Sequence, residues 1–191
     1  MRIALAGAGG TGKGTLGKMI AEHLNVPFIP SHIKETGQTM GLIDSYKSNV
    51  PWSKQMAFQW AILMGQIYQE RSLTMAGQSF VCERSTFDYI PYFLNRDFED
   101  QDYLNTARNW GRSKYDALIF LPYEFESPDT ETNTWRERDP EEQQRTSNMI
   151  ADEILRYYRG KLLTVTGTVE ERFKQYLQFY ERSLKDFYKV G

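Results

Sequence analysis

Near the start of the chain, Gly7-Ala8-Gly9-Gly10-Thr11-Gly12-Lys13-Gly14-Thr15 combines residue types that together can hold a phosphate. Glycines let a backbone curl until successive N–H groups converge as an anion-binding nest. A helix opening at the end of such a loop aims its positive pole at the same point. Lys13 adds a full charge able to reach the outer phosphates of a nucleotide. Two later groupings could act on the same phosphates. Glu83-Arg84-Ser85-Thr86-Phe87-Asp88 sets acids beside a guanidinium, and Arg136, Arg138 and Arg145 follow further on. Arginine suits phosphate because its planar fork bonds two oxygens at once.

The loop works only between a strand and a helix, and the flanking residues supply both. Ile3-Ala4-Leu5-Ala6 reads as a short apolar strand, and Leu16, Met19, Ile20 and Leu24 fall on one helical face. The same glycines also satisfy the dinucleotide fingerprint. That motif needs an acid about 20 positions on, at the end of the second strand, to hold a ribose. Here the second strand reads as residues 26–30, Ser31-His32 follows, and the first acid, Glu35, comes late. Nor does a dinucleotide need Lys13 or Thr15. The triphosphate reading therefore stands ahead of the dinucleotide reading and of a purely structural glycine turn.

The common triphosphate loop closes on Gly-Lys-Ser/Thr, whereas this one runs Gly12-Lys13-Gly14-Thr15. Gly-Lys-Gly-Thr resembles the loop of adenylate kinase and its nucleotide-kinase relatives. Gly14 carries no hydroxyl for a magnesium ion, which leaves Thr15 to approach it directly or through water.

Further elements follow in alternation. Residues 31–48 read as polar with some helical character, and residues 53–75 as a long helix with Ser53 as its N-cap. A short apolar strand over 79–82 delivers Glu83 at its carboxyl end. Residues 85–94 and 100–111 read as helical, 117–121 as the fourth strand, and 139–158 as a helix opened by Asp139-Pro140-Glu141-Glu142. A fifth strand over 161–166 precedes a final amphipathic helix over 168–188. Strands alternating with helices predict an α/β fold with a five-stranded parallel sheet flanked by helices, one domain over residues 1–191. Ligands of such sheets bind beyond the carboxyl ends of the strands.

Composition narrows the partners. The chain has 191 residues, 40% hydrophobic and 25% charged, ordinary for a globular domain with a sizeable core. A net charge of −2 supplies no global basic field, so nucleic acid remains a permitted partner that the charge does not indicate. The single cysteine, Cys82, lies in an apolar run, reads as core and suits a reducing cytoplasm. No stretch approaches the about 18 apolar residues of a membrane span. The early first strand leaves no room for a signal peptide, so a cytoplasmic protein is expected. The oligomeric state is open, and a homodimer is compatible with the sequence.

At Glu83-Arg84-Ser85 the chain resembles the P-loop nucleoside and nucleotide kinases: thymidylate kinase, the deoxyribonucleoside kinases and the nicotinamide-riboside-kinase-like group. The resemblance implies the P-loop NTPase fold, with the third strand beside the first. It implies that Glu83 lies near Lys13 and, with Thr15, helps place Mg²⁺. It implies that Arg84 neutralises the phosphoryl group in transfer or an acceptor phosphate, and that Asp88 holds an acceptor hydroxyl. It also implies a lid over about residues 123–145 whose Arg136, Arg138 and Arg145 close on the phosphates and exclude water. Glu35, just after the second strand, stands where some nucleoside kinases keep the carboxylate that deprotonates the acceptor. His32 and His23 read as structural. An acceptor base would stack on one or two of Trp60, Phe87, Tyr89, Tyr92 and Phe93.

The expectation is a magnesium-dependent kinase in which Gly9, Gly10, Thr11, Gly12, Lys13, Gly14 and Thr15 hold ATP. Its γ-phosphoryl group passes to a nucleoside, nucleotide or nucleoside-like acceptor. The rival acceptor is a hydroxymethylated base in DNA. Rivals of another class are a nucleotide-driven regulatory ATPase or switch and a non-catalytic nucleotide-binding module.

Overall fold

Strand β1 (Arg2–Ala6) lies at the centre of a five-stranded parallel sheet, and the rest of the chain is arranged about it. The computed structural model describes residues 1–42, 50–124 and 139–185. β1 pairs with β3 (Phe80–Cys82) on one side and β4 (Ala117–Phe120) on the other. The edge strands are β2 (Phe28–Ile29) and β5 (Lys161–Thr164), giving the order β2-β3-β1-β4-β5. The register sets Ala4 opposite Cys82 and Ala6 opposite Phe120. Gly7 and Glu83 therefore leave adjacent strands at the same, carboxyl edge.

Alternating side chains of β1 feed two cores. Ile3 and Leu5 pack with α1 (Lys13–Leu24) and α7 (Val169–Phe179) on one face. Ala4 and Ala6 face α3 (Trp52–Met75), α4 (Tyr89–Leu94), α5 (Gln101–Lys114) and α6 (Pro140–Tyr157) on the other. The short α2 (Ile33–Thr39) packs on α3. Helices thus cover both faces of an α/β sheet. Cys82 is buried as a free thiol, as its apolar run implied. Among the described residues no helix is long and apolar enough to cross a membrane.

Several boundaries differ from the sequence reading. α3 begins at Trp52 with Pro51, not Ser53, at its cap, because proline's fixed φ presets the turn without a side-chain bond. Residues 85–94 split into a 3-10 turn, Thr86–Asp88, and α4, so that Ser85 and Asp88 can bond each other. The last helix ends at Phe179 and widens into a π-helical turn, Tyr180–Leu184. Asp139 caps α6 as expected, accepting from Glu141 N–H, with proline in the first turn. His23 bonds the Tyr176 hydroxyl within an aromatic cluster, and buried His32 bonds the Ile62 carbonyl. Both are structural.

Candidate active site

The loop between β1 and α1 has the conformation its glycines permit. Gly12 adopts φ 87° at the N-cap of α1, a left-handed region that other residues enter at a cost. No side chain caps α1 and no acid stands in its first turn. Its leading N–H groups and positive pole are left for an anion. The Lys13 ammonium is buried and folds back over the loop, donating to the carbonyls of Gly7 at 2.6 Å and Ala8 at 2.5 Å. Thr11 is buried beneath, its hydroxyl donating to Ala8.

Glu83 emerges from β3 onto this loop. One carboxylate oxygen accepts the Ser31 N–H at 3.0 Å. The other lies over Gly14, 3.3 Å from where a Cβ there would stand. A serine or threonine at 14 would crowd the carboxylate, so the missing hydroxyl and the acid belong together. Glu83 and the exposed Thr15 line the same cavity as Lys13. Among the described residues no group of three or more His, Cys, Asp or Glu could hold a metal alone. One carboxylate and one hydroxyl beside a phosphate cradle fit Mg²⁺, which keeps several waters and takes its remaining ligands from substrate phosphates.

Arg84 is the second charged side chain that this edge presents. Its Nε donates to the Ser31 hydroxyl at 3.2 Å, and the guanidinium lies 5.8 Å from the Tyr92 ring centroid. Asp88 is fully buried behind it, 3.9 Å away, and accepts from the Ser85 hydroxyl at 2.8 Å. Burial pushes the Asp88 carboxyl up to about 6, against the pull of Lys13 and Arg84. The backbone behind Arg84 is fixed as well. Gln66 donates to the Arg84 carbonyl, and the Thr86 N–H donates to Tyr115 OH. Both partners in turn donate to Glu70.

The cavity, about 770 Å³, continues away from the loop into a second half walled by α3 and α4. Phe58 and Ile62 give it an apolar side, and Gln59, Tyr92 and Arg96 add polar groups. Tyr92 joins the two halves, its hydroxyl accepting the Gly9 N–H at 3.0 Å. Of the aromatics the sequence singled out, Tyr89 and Tyr92 line the cavity. Phe87 and Phe93 are core, and Trp60 is tied to Asp100 at 3.0 Å.

The structure therefore brings Gly9, Gly10, Gly12, Lys13, Gly14, Thr15, Glu83 and Arg84 to one cavity. Thr11 and Asp88 lie buried outside its lining. Glu35 stands exposed on α2 and does not line it. Arg145, on α6, is exposed and ion-paired to Glu142 at 3.4 Å. Arg136 and Arg138 fall outside the described residues. Sequence reasoning did not name Gln59 or Arg96. Gln59 did leave a signal, a polar residue inside the buried stripe Phe58-Ile62-Leu63-Ile67 of α3.

Residues 2–172 match the family described as AAA domain. No curated protein matches the sequence. Several solved structures share the fold. A deoxyadenosine kinase from M. mycoides, with products dCMP and dCDP bound, superposes with a TM-score of 0.65 at 16% identity. That match covers 95% of this chain and 99% of the other. A thymidylate kinase from Ehrlichia chaffeensis gives 0.64 at 15% identity, covering 93% and 97%. A gluconokinase from Sinorhizobium meliloti 1021 gives 0.55 at 17%, covering 98% and 95%. At these identities the likeness is one of fold, the P-loop NTPase sheet with flanking helices.

Proposed function

We propose that this chain, which belongs to the AAA domain family, is a P-loop kinase that passes the γ-phosphoryl group of ATP to a nucleoside, nucleotide or nucleoside-like acceptor. One observation carries this reading. The phosphate loop and Arg84 open into the same cavity as an apolar and amide-bearing half formed by Phe58, Gln59 and Tyr92. A regulatory ATPase needs the first half and has no use for the second. The fold shared with a deoxyadenosine kinase, solved in one case with bound dATP, and with a thymidylate kinase supports the same direction.

The residues divide the work accordingly. Loop amides and Lys13 hold the outer phosphates, the ammonium exchanging loop carbonyls for phosphate oxygens. Glu83 and Thr15 would hold Mg²⁺, which when bound neutralises charge between the outer phosphates. Arg84, fixed by Ser31, Asp88 and Tyr92, meets the negative charge of the group in transfer. Arg136, Arg138 and Arg145 are assigned to the closing lid. In the step itself an acceptor oxygen bonds the γ-phosphorus, the bond from that phosphorus to the β,γ-bridging oxygen breaks, and the acceptor's proton is lost to a carboxylate. Glu35 is the carboxylate proposed for that proton, with α2 turned inward, since Glu83 is taken up by the metal. Asp88 acts through Arg84.

The test is transfer from γ-labelled ATP to a panel of nucleosides, monophosphates, sugar acids and DNA oligomers with and without hydroxymethylated bases. Label is expected on a nucleoside or nucleotide. Label recovered only as free phosphate, whatever the acceptor, overturns the kinase reading in favour of an ATPase.

A further inference from the structure

Arg172 stands on α7, far along the sequence from the phosphate loop, yet it is buried against that loop. One guanidinium nitrogen donates to the Thr11 carbonyl at 2.5 Å, and another to the Glu124 carboxylate at 2.8 Å. The same carboxylate oxygen accepts the Gly167 N–H at 3.0 Å, from the turn between β5 and α7. A Cβ on Gly12 would lie 3.5 Å from the guanidinium. Three segments thus meet on one arginine–carboxylate pair behind the loop.

We propose that Arg172 is a positioning residue that sets the loop's anion-binding face by holding the Thr11 carbonyl outward. A trans peptide is planar, and its C=O and N–H point in opposite directions. Drawing the Thr11 carbonyl toward Arg172 therefore turns the Gly12 N–H the other way, toward the cavity that Gly12 lines. A flipped peptide would present a carbonyl oxygen to the phosphates and remove one donor from the nest. Arginine is required because its fork serves two acceptors in one plane, and a single ammonium cannot hold both in that geometry. Glu124 balances its charge, so the pair contributes orientation more than net field.

This inference rests on the loop binding a triphosphate, and the experiment separates the two. Calorimetric affinities for ATP and inorganic triphosphate are measured on the full chain and on Lys13→Ala, Arg172→Met, Arg172→Lys and Glu124→Gln, with melting temperatures alongside. Arg172→Met is expected to weaken triphosphate about tenfold, with Arg172→Lys intermediate. Glu124→Gln keeps an acceptor oxygen and should lose about threefold or less. In amide NMR spectra, the Gly12 resonance should shift on triphosphate addition in the parent and shift less in the Arg172 variants. If the methionine variant does not fold, the lysine and Glu124 variants carry the test. A merely structural Arg172 would lower the melting temperature yet leave affinity and the Gly12 shift unchanged, which overturns the proposal. Triphosphate binding that survives Lys13→Ala overturns the underlying reading of the loop itself.

Discussion

The Glu83 carboxylate rests directly on Gly14, with both its oxygens within 3.6 Å of the place a Cβ would occupy. The departure of this loop from the Gly-Lys-Ser/Thr form is thus matched by an acid from the neighbouring strand. Gly14→Ala tests the match. Alanine favours a helix over glycine by up to about 1 kcal/mol. The same methyl forces the carboxylate aside by a few tenths of an ångström. Melting temperature is expected to hold or rise while phosphoryl transfer falls about tenfold, a divergence read by calorimetric melting beside a rate assay. Retained activity would show that the position of Glu83 does not matter.

Asp88 gives a pH signature. Its carboxyl is raised to about 6, chiefly by burial, so the folded chain binds that proton more tightly than the unfolded one. Stability therefore falls as pH rises from the ordinary aspartate range through about 6. Asp88→Asn removes that titration. Between about pH 4 and 7 the parent should lose stability relative to the asparagine variant, in denaturant melts at matched salt. Transfer by the variant should drop about tenfold because Arg84 loses its buried counter-charge. Parallel stability curves for the two proteins would remove Asp88 from this role.

The acceptor half can be tested apart from the donor half. Gln59 is almost wholly buried, and its carbonyl oxygen accepts from Tyr103 OH at 3.5 Å. The oxygen so engaged, its amide NH₂ is the group left to meet an acceptor. Gln59→Leu preserves bulk and deletes both bonding groups. The KM for the acceptor should rise about tenfold with the KM for ATP unchanged. An equal rise in both would place Gln59 in the fold and outside recognition.

The donor side of this site was legible because phosphate chemistry imposes local spacing. Gly7 through Thr15 must be contiguous, and Glu83-Arg84 must end a strand, so both appear as runs in the sequence. The register of β1 and β3 then brings those runs together. Gln59, Arg96 and Arg172 were not legible in that way. Gln59 and Arg172 sit on helices, Arg96 in the turn that follows α4, and only tertiary packing turns them toward the cavity or the loop. Glu35 shows the converse: its place after β2 suggested a base, and the path of α2 leaves it in solvent. Boundaries moved where local bonds interrupt a helical pattern, as at the Ser85–Asp88 turn and at the π-helical turn after Phe179.

Glu70 is the residue whose loss should be felt most in stability. It is fully buried on α3, and its carboxylate accepts from Gln66 and Trp110, each at 2.5 Å, and from Tyr115 at 2.9 Å. All three donors are neutral, so burial raises its pKa despite them. Two donors also hold the backbone around Arg84. Gln66 reaches the Arg84 carbonyl, and Tyr115 OH accepts the Thr86 N–H. Glu70→Ala takes the acceptor from buried Tyr115 and half-buried Trp110, leaves Gln66 only the Arg84 carbonyl, and should cost about 3–5 kcal/mol. Glu70→Gln is the finer probe. Its single carbonyl oxygen can keep Gln66 and Tyr115, but its NH₂ then faces the Trp110 N–H, at a cost of about 1–3 kcal/mol. The folded form of the parent holds the Glu70 proton above the usual glutamate range, so the parent gains on the glutamine variant as pH falls. The stability gap should therefore be wider at about pH 5 than at about pH 8 in urea melts. A gap independent of pH would mean that Glu70 does not titrate with folding. Transfer activity in the glutamine variant should fall with kcat and leave the KM for ATP unchanged, because the disturbed segment carries Arg84 and not the phosphate loop.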